Sequence, residues 1–263
     1  MKRLKFGYFM KLSFSGAVKD HRFTLKCIPH DTDMQRIEKI SVSVYPDHIT
    51  SENVDSHGNI TLFGYTKEYH NSFGFDVNGI AVTGLSDYEK ANELHRVGMY
   101  RYQTGITAPG SCISNFSEKL KLYEIKDVID KADFIMENVY DFFTYSPNCT
   151  CMETTAEQAF SQGMGVCQDY AHIMLSLCRI EKIPCRYVTG MMMGEGCSHA
   201  WVEVWDEKKW IGFDPTNMKK VDDEYIKISN GRDFADCLVN QGIFTGNVSQ
   251  KQTINVVVEE VFE

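Results

Sequence analysis

Cys167 closes a glycine-bearing turn, Gly163-Met164-Gly165-Val166, and opens an apolar run of Tyr170, Ala171, Ile173, Met174, Leu175, Leu177 and Cys178. Apolar residues on most faces predict a buried helix from Cys167 to about Ile180. A thiol at a helix N-terminus meets unpaired N–H groups and the positive end of the dipole, which favour the thiolate. The same N–H groups suit the oxyanion of a tetrahedral intermediate. The competing role is a small core residue. Beyond Pro184 come strand-like runs at 185–193 and 198–205, a turn at 206–208, and a third run at 209–217. His199 heads one strand and Asp214 ends the next, so antiparallel pairing would bring them together. An imidazole between a thiol and a carboxylate can activate the thiol and later protonate a leaving amine. Alone, a His or Asp at a strand end is usually structural. The order Cys167, His199, Asp214 on helix start, strand and strand is what suggests catalysis.

Other reactive side chains carry weaker signals. Cys149-Thr150-Cys151 has a spacing of one and no second Cys/His pair, which argues against structural zinc. His172 lies about 140° around the helix from Cys167 and is expected to be buried and hydrogen-bonded. Gln168 and Asp169 suit a helix cap. Cys197 stands two residues before His199 and either lines the cleft or packs. Tyr145 is a candidate donor to an oxyanion. Met191-Met192-Met193 reads as strand filling, with Gly190, Gly194 and Gly196 suggesting a mobile loop over the cleft. Arg232, Asp233 and Asp236 form either a charged cluster near the site or a salt-bridged turn. No phosphate-binding or dinucleotide fingerprint is present, and no cofactor is expected.

The elements that must position these groups follow from periodicity. Leu4, Phe6, Tyr8, Met10, Leu12 and Phe14 alternate without a miss, as in a strand. Further strand runs are Phe23 to Cys27, Ile40 to Val44, Ile60 to Tyr65 and Phe73 to Val77. Ser56 to Asn59 reads as a turn and Asn78-Gly79 as a tight hairpin. Ser86-Asp87-Tyr88-Glu89 has the form of a capping box, predicting a helix over 87–98. Residues 104–117 read as a loop. Apolar residues every three or four positions predict a helix over 126–143. Thr154 to Glu157 reads as a second capping box, opening a short helix that ends near Gly163. Residues 255–258 read as a terminal strand. The expected architecture is α+β: an antiparallel, sandwich-like β unit over 1–85, then an α+β unit over 86–263 built on the Cys-bearing helix and an antiparallel sheet.

The chain has 263 residues, 43% apolar and 24% charged, which excludes a disordered or low-complexity protein. Its net charge of −9 disfavours nucleic acid and anionic membranes as partners. No run reaches membrane-spanning length, and the N-terminus lacks the pattern of a signal peptide. Nine irregularly spaced cysteines without an export signal suggest free thiols in a reducing cytoplasm.

Three blocks, GVCQDYAHIMLSLCR at 165–179, HAWVEVW at 199–205 and FDPTN at 213–217, resemble the motifs of the transglutaminase-like superfamily. These are papain-like cysteine enzymes with a Cys-His-Asp triad. NGRDFADC at 230–237, with Gly242 and Gly246, resembles the tail of the family's bacterial branch, which also carries an N-terminal β domain. The likeness covers about 125–246 well and the first 85 residues more loosely. Cys185 stands where that pattern has a small residue such as Ala. The resemblance implies Cys167 as nucleophile, His199 as general base and acid, and Asp214 as its orienting partner. It implies a peptide or protein amide as substrate and hydrolysis before crosslinking. A protein-crosslinking transglutaminase and a silent peptide-binding homologue are the alternatives. A calcium-dependent crosslinker ranks last, because the chain has no dense acidic loop.

Overall fold

The computed structural model describes residues 1–47, 49–90 and 94–262. Strand β1, Lys2–Leu25, organises the first half of the fold. Leu4, Phe6, Tyr8, Met10, Leu12 and Phe14 are all buried, as the alternation predicts. The strand is long enough to serve two parts of one sheet. Up to Ser13 it lies between β5 (His70–Thr83) and the C-terminal strand described below. The register then breaks around Asp20, which takes φ 50°. From His21 to Leu25 it pairs with β4 (Ile60–Thr66). β2 (Gln35–Tyr45) flanks β5, and β3 (Ile49–Val54) flanks β4.

The hairpin expected at Asn78-Gly79 does not form. β5 runs straight through, with Asn78 opposite Gly7 and Gly79 opposite Phe6. A Cβ on Gly79 would stand 2.4 Å from the Lys39 carbonyl oxygen and 2.5 Å from the Phe6 ring. The glycine serves close packing between strands, not a turn.

The capping box at 86–89 is also overturned. Glu89 belongs to a two-residue strand, β6 (Glu89–Lys90). Residues 91–93 of the expected helix lie outside the described residues, and helix appears only as α1 (Leu94–Val97), followed by a 3-10 turn over Gly98–Arg101. The expected loop at 104–117 contains α2, Ser111–Leu120. Its start has no local side-chain cap. Instead the Glu157 carboxylate accepts from the backbone N–H groups of Gly110, Cys112 and Ile113 at 2.9, 2.7 and 3.1 Å. That cap comes from 45 or so residues away, so no local pattern announces it.

Helix α3, Val128–Phe142, starts at the N-cap Asp127, which accepts from Ile129 and Asp130. A short strand β7 (Thr144–Tyr145) follows. Helix α4, Ala156–Gln162, has its capping box on Thr155 and Gln158, one residue later than expected, and ends at Gly163 with φ 70°. Strand β8 (Met164–Gly165) leads into α5, Cys167–Ile180. The rest is a sheet: β9 (Cys185–Met192), β10 (Gly194–Gly196), β11 (His199–Trp205), β12 (Lys209–Asp214), β13 (Lys219–Lys220) and β14 (Tyr225–Gly231). The order is β13-β12-β11-β9-β14, with β6 added beside β12, while β10 joins the first sheet. β15 (Asn240–Thr245) and β16 (Gln250–Glu260) return to β1, so the chain's last strand lies along its first.

Helices α3 and α5 pack on one face of the second sheet, with α4 against α5, burying Ala200, Val202 and Val204 of β11. The opposite face of β11 carries Trp201, Glu203 and Trp205, also buried. Met191, Ile226 and Ile228 from the second sheet sit in the core of the first, so the sheets share an apolar interior.

Candidate active site

The position of Cys167 is fixed from below by Asp169. Val166 precedes the helix in an extended conformation, and its N–H donates to Asp169 Oδ2 at 2.8 Å. Thr150 Oγ1 donates to the same oxygen at 2.7 Å. A Cβ on Gly165 would stand 2.4 Å from that oxygen, so only glycine lets the turn close. β7 runs parallel to β8, with Tyr145 opposite Gly165 and Ser146 N–H donating to the Gly165 carbonyl at 2.8 Å. The result is a rigid platform that leaves Cys167 at the first position of α5, partly exposed. Asp169 is itself buried, which pushes its carboxyl upward against the hydrogen bonds from Val166 and Thr150.

His199 begins β11 opposite Gly190 of β9. A Cβ on Gly190 would meet the Trp201 ring at 2.3 Å, so the glycine lets the indole pack beneath the histidine's strand. The loop entering His199 is held by β10, whose Gly194 to Gly196 pair with Val258 to Val256 of β16. His199 Nε2 donates to Asp214 Oδ2 at 2.7 Å. That bond fixes the tautomer and leaves Nδ1 for the thiol. Burial alone would lower the imidazole's pKa. Hydrogen bonds to Asp214 and Cys167 and their negative charges outweigh it, raising the value to about 10.

Asp214 ends β12 and is fully buried. Oδ2 also accepts from Tyr225 Oη and from Asn217 Nδ2, each at 2.7 Å. Oδ1 accepts from the backbone N–H groups of Thr216 and Asn217 at 2.9 and 3.3 Å. Burial would raise this carboxyl, but the imidazole and the donors of Asn217 and Tyr225 hold it below the usual carboxylate range. The structure therefore brings together the three residues singled out by the sequence. It adds Tyr225, which carried no local signal, and Asn217, visible only as the last letter of FDPTN.

The other candidates separate. His172 is fully buried and accepts from the Phe234 N–H at 3.2 Å, with burial lowering its pKa to about 3. Tyr145 is largely exposed, and partial shielding of its hydroxyl together with the nearby Cys167 and Cys197 raises its phenol. Cys197 is exposed beside this site. Cys149 Sγ donates to the Ser146 carbonyl at 2.9 Å, and Cys151 Sγ lies 3.5 Å from Thr154 Oγ1. Met191 fills the shared core, and Met192 Sδ accepts from Asn217 Nδ2 at 3.6 Å. Thus the 191–193 run belongs to a strand and its end. Arg232 pairs with Asp236 at 2.8 and 3.1 Å, and His57 Nε2 lies 3.4 Å from Asp236, joining the 55–59 turn to the second half of the chain. Asp233 caps the turn that follows by accepting from Ala235 N–H.

Sequence reasoning missed a buried ionic cluster behind the site. Glu203 Oε2 accepts from Arg186 Nε at 2.5 Å and from Lys227 Nζ at 3.0 Å, while Glu89 bridges the same two cations at 3.2 and 2.7 Å. Among the described residues, all nine cysteines are free and no helix is long and apolar enough to cross a membrane.

The chain is similar to several known proteins. An uncharacterized protein of Mycobacterium tuberculosis (strain H37Rv) is 25% identical over 270 residues, covering 90% of this chain and 82% of the relative. An uncharacterized Mycobacterium leprae protein is 37% identical over 125 residues, 44% of either chain. The crystal structure of a Cytophaga hutchinsonii protein, provisionally named a cysteine protease, superposes with TM-score 0.79 at 21% identity, covering 100% of this chain and 91% of that one. The α+β fold is shared along the whole chain. The sequence model described as the Transglutaminase-like superfamily matches residues 119–215. The matched stretch is the one that holds Cys167, His199 and Asp214, and it is similar to the core domain of that superfamily.

Proposed function

We propose that this protein cleaves amide bonds with Cys167 as nucleophile, His199 as general base and then acid, and Asp214 as the group that orients and charges His199. The observation that carries this is the 2.7 Å bond from His199 Nε2 to the buried Asp214, with the other ring nitrogen left for the thiol at the start of α5. His199 takes the Cys167 proton, and the sulfur attacks the amide carbonyl. The Cys167 N–H, at the first position of the helix, faces the oxyanion that forms. The imidazolium then protonates the departing amine, leaving an acyl-thioester on Cys167. Water, activated by the neutral imidazole, releases the acid and restores the thiol.

A peptide or protein amide is the proposed substrate. The provisional name of the Cytophaga hutchinsonii protein supports a protease or amidase. A lysine-type amine in place of water would make the same intermediate a crosslink. Free thiols support a reducing, cytoplasmic setting. We also propose residues 1–85 and 86–263 as the two units, the second lending β10, β15 and β16 to the sheet of the first.

The test is turnover of a peptide-amide library with and without an added primary amine. Ammonia or free acid released by the native protein, lost in Cys167→Ala with the fold intact, supports hydrolysis. Amine incorporation in place of acid would replace it with acyl transfer. Turnover that survives Cys167→Ala would overturn the assignment.

A further inference from the structure

Outside the candidate active site, two thiols lie near each other in the core. Cys178 lies in the last turn of α5, and Cys185 is the first residue of β9. Both are fully buried. Cys185 Sγ points onto α5, 3.7 Å from the carbonyl oxygen of Leu175, one helical turn before Cys178. The two thiols are within hydrogen-bonding reach of each other. Arg179, next to Cys178 in the helix and fully buried, donates from Nη2 to the Cys185 carbonyl at 3.0 Å. The connecting turn is tight: Ile183 N–H donates to the Cys178 carbonyl at 3.0 Å, and Lys182 takes φ 59°.

We propose that Cys178 and Cys185 are an oxidisable dithiol that closes to an intramolecular disulfide, stapling the Cys167-bearing helix to the strand paired with β11. Two features carry this. The Cys185 sulfur lies against α5 one turn before Cys178 and within reach of its thiol, across a tight connecting turn. The Arg179 cation beside Cys185 is at hand to stabilise a thiolate, which is the species that reacts with oxidants. Contact with Cys185 and burial push the Cys178 thiol well up. Burial also raises Cys185, but the Cys178 thiol and Arg179 outweigh it and hold Cys185 down. The Arg179 guanidinium donates to the Cys185 carbonyl, so Cys185 is taken as the attacking sulfur.

With a hydroperoxide as oxidant, the Cys185 thiolate attacks one peroxide oxygen and becomes a sulfenic acid as the O–O bond breaks. For hydrogen peroxide, the leaving hydroxide takes a proton and departs as water. Cys178 then attacks the sulfenic sulfur. The S–S bond forms, the S–O bond breaks, and a second water leaves with the Cys178 proton. Two thiols and one hydrogen peroxide thus give one disulfide and two waters. Because neither sulfur is exposed, the reaction follows local opening of the 181–184 turn and is slower than oxidation at the exposed Cys112, Cys151 and Cys197.

The test is peptide mapping of the native protein after graded hydrogen peroxide, with remaining thiols alkylated under denaturing conditions. The expected product joins the Cys178 and Cys185 peptides with loss of two hydrogens, is reversed by dithiothreitol, and raises the thermal midpoint. In Cys185→Ala the link disappears and Cys178 stays alkylatable. If both thiols remain fully alkylatable after the exposed cysteines are consumed, or Cys178 links to another cysteine, the proposal is wrong. The map of the native protein decides this even where the variant fails to fold, and it does not depend on catalysis by Cys167.

Discussion

Tyr225 Oη donates to Asp214 Oδ2 at 2.7 Å, on the same oxygen that accepts from His199 Nε2. β14 therefore supplies a donor to the same carboxylate that accepts from His199. Replacing Tyr225 by Phe removes one donor from a fully buried charge. We expect about 1–2 kcal/mol of lost stability in denaturant unfolding. Iodoacetamide should also modify Cys167 several-fold more slowly at pH 7, as Asp214 loses its fixed aim. An unchanged alkylation rate would show that Asn217 and the backbone suffice.

The cluster of Glu203, Arg186, Lys227 and Glu89 separates buried from exposed ion pairs. Glu203→Ala leaves two buried cations short of a partner and should cost about 3–5 kcal/mol. Lys220 pairs with Asp133 at 2.8 Å, but both side chains are exposed by 39% or more. Lys220→Ala should cost less than about 1 kcal/mol. Urea unfolding of the two variants tests the ranking, and similar losses would contradict it.

Stability should respond to pH through His172. It is buried neutral, with its pKa lowered to about 3 from an ordinary 6.5. Below pH 6.5 the unfolded chain binds a proton that the folded chain refuses. Its contribution is thus full above that pH and lost toward pH 3, at about 1.4 kcal/mol per pH unit. His21, lowered to about 4 by burial and by His70, adds to the same trend. His199 acts oppositely: raised to about 10, it stabilises fully below pH 6.5 and loses that contribution as pH rises through 10. Denaturant midpoints across pH should show a shallower acid slope in His172→Asn than in the native protein. Parallel slopes would refute the assignment.

Residues whose signals are local were legible in the sequence. Cys167, His199 and Asp214 each lie at an element boundary set by periodicity, and α5 and β1 follow their apolar patterns closely. What escaped was set by distant partners. Glu157 looked like part of a capping box for its own helix, yet it caps α2. Glu89 looked like a helix-capping acid, yet it is drawn into a strand by Arg186 and Lys227. Tyr225 sits in a plain strand, and only the fold turns it toward Asp214.

Gly79 shows the same limit. Beside Asn78 it looked like a turn, but it lies within β5 against the Lys39 carbonyl and the Phe6 ring. Gly79→Ala should cost about 1–3 kcal/mol through overpacking. A substitution tolerated without loss, measured by thermal unfolding, would mean that the strands separate more easily than their packing indicates.

The central claim is that Cys167 and His199 act as one unit. Its most direct measure is a pH series of iodoacetamide alkylation on the native protein, followed at each cysteine by mass spectrometry, in parallel with His199→Ala. The account predicts that Cys167 alone reacts fast well below pH 8, and that the variant loses this advantage. If Cys167 reacts no faster than the exposed Cys112 and Cys151, or keeps its rate without His199, the pair does not operate and the proposed amide chemistry fails with it.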